Sequence, residues 1–226
     1  MLRIADLSVR ERVLASGVLL PAFIGAGWFI LAGERQMGHA AEFVARATSV
    51  RIVVQKPGTP ERTIDIQCPD RARVQAATSP SMTFVVVGHR AVMSQGGGWR
   101  DVPAGLVDIP PVCSGSPWAN GRPDFAAALR SATEPGQQVD DALFDITLPS
   151  GETCRAWRIH AHEEIGPDTS DQPRVCLAED DAHPVLVRFP DGRSWWFSRW
   201  NQRVDIELPA VAAPASLPQP GRPGTL

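Results

Sequence analysis

The chain has no tyrosine and a single lysine, Lys56, among its 226 residues. Seven tryptophans and eight phenylalanines therefore supply every large ring. Arginine supplies the positive charge, and a formal net charge of −3 with a pI near 5.9 argues against a nucleic-acid partner. None of the four cysteines stands in a C-x-x-C pair, which argues against zinc held by sulfur and against thioredoxin-like redox chemistry. No G-x-S-x-G elbow occurs, because SGSPW at 114–118 lacks the second glycine in register. The glycine run at 96–98 is not followed by a helical pattern, so it reads as a hairpin turn and not as a phosphate cradle. No carboxylate pair sits in a recognisable catalytic context. His160, His162 and Glu164 alternate onto one strand face, which a polar outer face explains as well as a metal site does. Glu179, Asp180 and Asp181 read as a solvated turn, since their spacing does not suit calcium. The expectation is a protein without catalysis, cofactor or metal.

What the chain does have is one long apolar run. Residues 13–32, VLASGVLLPAFIGAGWFILA, contain no charge. At about 1.5 Å per residue, twenty residues span roughly 30 Å, the thickness of a bilayer's hydrocarbon core. Pro21, Gly17, Gly25 and Gly27 would weaken a soluble helix but are tolerated in lipid. A retained transmembrane anchor is the leading reading. A cleaved signal segment, with Gly38 and Ala40 as the better cleavage positions, and a buried core helix are the alternatives. Arg3, Arg10 and Arg12 precede the run and Arg35 and Arg46 follow it, a small bias toward a cytoplasmic N-terminus. Four scattered cysteines behind such a segment suggest disulfides in an oxidising compartment.

The remaining organisation follows from periodicity. Residues 1–12 form a charged tail, and 33–48 an amphipathic linker helix with Met37, Ala40 or Ala41, Val44 and Ala47 on its apolar face. From Val50 the period becomes two. VRIVVQK, RTIDIQC, ARVQAAT, MTFVVVG, RAVMSQ and WRDVP read as strands joined by short polar turns, which means antiparallel hairpins. Phe84 to Val87 is apolar on both faces, as expected of a covered central strand. A proline-rich excursion at 103–140 holds one helical candidate, RPDFAAALRSA, with Asp124 as its cap. Six further strand candidates follow: ALFDITL, CRAWRIHAHEE, RVCLAED, PVLVRF, RSWWFSRW and RVDIEL. Trp157, Ile159, Val175 and Leu177 share the apolar side of theirs, while Cys154 and Cys176 fall on the polar side and are placed to meet across a hairpin. Cys68 and Cys113 remain as the second pair. The β domain closes at 209, and 210–226 is a proline-rich tail with no apolar period.

Three stretches carry a resemblance: TIDIQCPDRARVQ at 63–75, FVVVGHRAVMSQGGGWRDVP at 84–103 and HPVLVRFPDGRSWWFSRWNQRVDIELP at 183–209. Together, over about residues 40–210, they resemble the bacterial periplasmic lipoprotein-carrier superfamily. The resemblance implies a mainly-β, α+β fold: a curved antiparallel half-barrel with a few helices on its concave face and an apolar cavity that accepts acyl chains. With the run 13–32 as an anchor, the expectation is a single-pass bacterial inner-membrane protein with its C-terminal domain in the periplasm. The chain departs from the pattern in lacking a lipobox cysteine after the apolar run and in having few helical residues for a lid. Phe84, Val86, Trp99, Trp157, Ile159, Trp195 and Phe197 are the residues expected on the concave side. Period-two spacing groups Trp157 with Ile159 and Trp195 with Phe197, and the resemblance supplies the others. The function expected is a membrane-anchored lipid- or lipoprotein-binding module. The alternatives are an accessory subunit of a larger inner-membrane complex, and an envelope sensor or assembly factor that binds a protein.

Overall fold

The computed structural model describes residues 33–77, 79–95, 97–119, 123–134, 138–148, 153–160, 173–179 and 181–211. The apolar run at 13–32, the tail at 1–12 and residues 212–226 lie outside the described residues, as do His162, Glu164 and Asp180. Among the described residues no helix is long and apolar enough to cross a membrane.

Among the described residues eleven strands form one curved antiparallel sheet. The first six are β1 (Ser49–Lys56), β2 (Thr59–Gln67), β3 (Arg71–Ala76), β4 (Ser79–Val87), β5 (Arg90–Gln95) and β6 (Gly98–Pro103). They run outward as a meander on short turns. β7 (Gln138–Thr147), β8 (Thr153–His160), β9 (Arg174–Leu177), β10 (Pro184–Arg188) and β11 (Ser194–Ser198) form a second meander that runs back inward. The halves join where β11 pairs with β1, so the spatial order is β6-β5-β4-β3-β2-β1-β11-β10-β9-β8-β7. Turn glycines make the reversals possible. Gly192, at φ +80, closes the turn from β10 to β11, and a Cβ there would lie 2.8 Å from Pro57 Cγ in the turn from β1 to β2.

The concave face holds the main core. Helix α1, at 33–46, lays Met37, Ala40, Ala41 and Val44 against it, each at most 1% exposed. Ala, Val and Met at a spacing of three and four make the narrow apolar stripe that a helix needs to sit on a sheet. The excursion after β6 crosses the same face. Val107, Ile109, Val112, Cys113 and Trp118 are buried in it, followed by helix α2 (Phe125–Ser131) with Phe125, Ala126 and Leu129 inward. Asp124 caps α2 by accepting a hydrogen bond from the Ala127 amide at 2.7 Å. A Cys68–Cys113 disulfide ties the end of β2 to the excursion, and no described cysteine is free.

The convex face departs from the sequence expectation in two places. Cys154 and Cys176 do form the second disulfide. Their face is not polar: with Leu148, Ala156 and Leu186 they build a small buried cluster behind the sheet. Arg158 is the next residue on the face of Cys154 and Ala156, and its charge makes that face read as polar by simple alternation. The candidate strand RVDIEL is not a strand. Residues 202–211 run as an extended strap over the convex face, where Val204, Ile206, Leu208 and Val211 cover Val85, Val92 and Trp99. Side chains of β3 replace a ladder, since Arg71 donates to the Ile206 carbonyl and Arg73 to the Asp205 carbonyl, each at 2.9 Å. Beneath the strap, Arg51 and Asp65 face each other across β1 and β2 in a two-pronged ion pair of 2.6 and 2.9 Å.

Candidate functional site

β11 is the strand around which the concave face is organised. Its alternation sends Trp195 and Phe197 inward, and three other rings, Phe125, Phe189 and Trp200, pack on them. Phe197 is stacked between Phe125 of α2 (5.4 Å, 7°) and Trp200 (5.5 Å, 16°). Trp200 meets Phe43 of α1 edge-on at 5.3 Å, and Phe43 meets His183 at 5.7 Å. In the other direction Trp195 contacts Phe125 at 6.3 Å and Phe189 at 4.6 Å. The Trp200 indole N–H donates to the Pro184 carbonyl at 3.0 Å, which fixes that end of the ladder. Most of the concave face near β11 is thus filled with rings.

The filling stops at Trp195. Beside it, between α2 and strands β9 to β11, an open cleft of about 250 Å3 is lined by Phe125, Leu129, Val175, Val187, Phe189 and Trp195, with Pro111, Pro123 and Pro173 at its rim. Its walls are almost entirely carbon. An engineered cavity of about 150 Å3 accepts benzene, whereas drug-sized ligands occupy roughly 300–1,000 Å3. A single hydrocarbon segment is the size that fits.

The expected concave-side residues divide into four groups. Trp195 lines the cleft. Phe84, Val86, Trp157 and Phe197 face the concave core; Trp157 is 1% exposed and its indole N–H donates to Gln36 of α1 at 3.1 Å. Trp99 lies on the other side of the sheet, opposite Ser94 and under the strap. The register explains this: Phe84 pairs with Met93 and Met93 with Arg100, so the concave position on β6 belongs to Arg100 and its neighbour Trp99 points away. Ile159 is placed in β8 by its backbone alone, opposite Val139. Five of the cleft residues, Phe125, Leu129, Val175, Val187 and Phe189, were missed as ligand-lining candidates. The helix RPDFAAALRSA and the strands RVCLAED and PVLVRF announced them as apolar, but only the placement of α2 over β10 shows that they meet. Among the described residues no group of His, Cys, Asp and Glu is placed to hold a metal.

A curved antiparallel sheet with helices on its concave side is a lipoprotein-carrier-like fold, and this chain has it. Two mycobacterial proteins share the arrangement. The lipoprotein LppX of Mycobacterium tuberculosis superposes with a TM-score of 0.54 at 16% identity, over 78% of this chain and 98% of its own. LprF of Mycobacterium bovis gives 0.56 at 12% identity, over 79% and 97%. No protein-family profile matches the chain, and no curated protein sequence matches it.

Proposed function

We propose that the chain is a lipid-binding module, non-catalytic, anchored in the bacterial inner membrane by residues 13–32 and working on the periplasmic side. One observation carries the binding reading: the carbon-walled cleft between α2 and β9–β11 is the place where the aromatic filling of the concave face gives out. The fold supports it, because the lipoprotein-carrier resemblance puts acyl chains between sheet and helices. The charge-free run and two disulfides favour the compartment.

The test is native purification of the full chain in mild detergent, with the bound lipids identified by mass spectrometry. Lipid is expected with the parent chain and is expected to be lost from Ala128→Trp, whose ring enters the cleft from α2. An equal lipid content in both chains would refute the site. N-terminal sequencing tests the anchor, since a mature chain that begins near Ala41 would show a cleaved signal.

The ring ladder favours a second reading. It leaves room for one chain segment and not for a two-chain lipid, which suits an accessory subunit or assembly factor whose cleft receives an apolar side chain of a protein partner. Protein without lipid in the same purification would favour that reading.

A further inference from the structure

The apolar cleft opens onto a charged one. A single cross-strand row on the concave face runs Trp157, Val175, Val187, Trp195, Val54, Arg62, each residue opposite the next in the ladder. Five positions are apolar and the sixth is cationic. Beyond Trp195 lies a cleft of about 390 Å3 whose polar wall is Lys56, Thr59, Arg62, Asp108 and Arg193. Trp195 belongs to both clefts, and the consecutive prolines Pro110 and Pro111 line one each. Arg193 links them again, with its guanidinium 5.1 Å from the ring centre of Phe189 on the apolar side.

The charges at this second cleft do not cancel. Arg62 pairs with Asp108 at 3.6 Å and Arg193 with Asp191 at 2.6 Å, leaving Lys56 as a third cation against two carboxylates. The Arg193 backbone amide, helped by the Arg193 guanidinium and the charge of Lys56, holds Asp191 below the usual carboxylate range. Asp108 is 66% exposed, and exposed pairs of this kind are worth little and exchange readily. A local excess of positive charge, in a chain of net charge −3, therefore sits one residue-width from a hydrocarbon-sized slot.

We propose that the ligand is an anionic single-chain amphiphile, its hydrocarbon in the cleft under α2 and its phosphate or carboxylate headgroup laid past Trp195 onto Lys56, Arg62 and Arg193. This rests on the lipid-binding reading above and adds the headgroup class. Two guanidiniums and an ammonium suit a multivalent oxyanion, and guanidiniums bind one with paired, directed hydrogen bonds. The slot admits one chain, so the headgroup carries the selectivity.

Two probes that differ only by a phosphate decide the matter: myristoyl lysophosphatidic acid and monomyristoylglycerol, titrated calorimetrically into the full chain in non-ionic detergent. The phosphate ligand is expected to bind about tenfold more tightly, the scale of one charge-assisted hydrogen bond. The preference is expected to vanish in Lys56→Gln/Arg62→Gln and to survive in Lys56→Arg/Arg62→Lys, which keeps both charges. Equal affinity of the parent chain for both probes would overturn the headgroup assignment while leaving the lipid reading standing. Binding of neither would overturn both. Inorganic phosphate binding as tightly as the lysophosphatidic acid would make this a free-anion site and overturn the amphiphile.

Discussion

Phe197→Ala separates a ring that fills the core from one that lines a ligand cleft. Phe197 is 5% exposed and stacked on both faces, against Phe125 and Trp200. Deleting a buried Phe ring costs about 3–5 kcal/mol, the lost transfer energy plus the void that remains. The two stacked contacts lie within that figure at about 0.5–1.5 kcal/mol each. For a domain of this size each kcal/mol lowers the melting temperature by roughly 2–4 °C, so a fall of roughly 6–20 °C is expected. Trp195→Ala is the contrast. Trp195 is only half-buried, so its loss is expected to cost about 1–2 kcal/mol and to act mainly on ligand binding. Near-UV circular dichroism melts of the oxidised chain measure both. A loss below about 1 kcal/mol for Phe197→Ala would mean that its neighbours close the gap or that the face is open, and would refute the filled-core description.

Three other outcomes follow from the same geometry. Intact-mass analysis after alkylation without reductant is expected to find no free thiol; on chain entropy alone the Cys154–Cys176 bridge, 22 residues apart, contributes about 3 kcal/mol and Cys68–Cys113, 45 apart, about 4 kcal/mol. Ile206→Ala removes a fully buried side chain from the strap and is expected to cost about 2–5 kcal/mol in a urea melt, with faster hydrogen exchange over 203–211; a neutral effect would show that the strap is not packed. Asp191 titrates below its usual range in the folded chain, so its stabilising contribution is complete above the unfolded value near pH 4 and is lost as pH falls through the lower folded one. The melting temperature is accordingly expected to fall less in Asp191→Asn than in the parent below about pH 4, and an unchanged acid limb would contradict the assignment.

The parts of the fold that local pattern controls were legible. Period two located β1 to β11, Asp124 announced the α2 cap, and Met37, Ala40, Ala41 and Val44 announced the buried stripe of α1. The cysteine pairs followed from strand parity and from what parity left over. What escaped depends on contacts distant in sequence. RVDIEL alternates like a strand but lies across β3, held by arginine side chains, and alternation cannot tell a ladder from a strap. Trp99 was misplaced because a tryptophan's size says nothing about register, and on β6 one residue decides the face. The cleft itself was invisible, because it exists where α2 stops covering β10, and no local pattern encodes where a cover ends.

The most direct test of the lipid-binding account is a chain-length series of single-chain amphiphiles titrated into the full chain. A carbon-walled slot gains about 0.8 kcal/mol per buried methylene, so affinity is expected to rise about fourfold per carbon and then level off once the cleft of about 250 Å3 is full. Ala128→Trp, which fills the cleft, is expected to abolish the rise with chain length. Affinity independent of chain length, with no change in tryptophan emission or melting temperature, would contradict the account and leave the accessory subunit as the function to pursue.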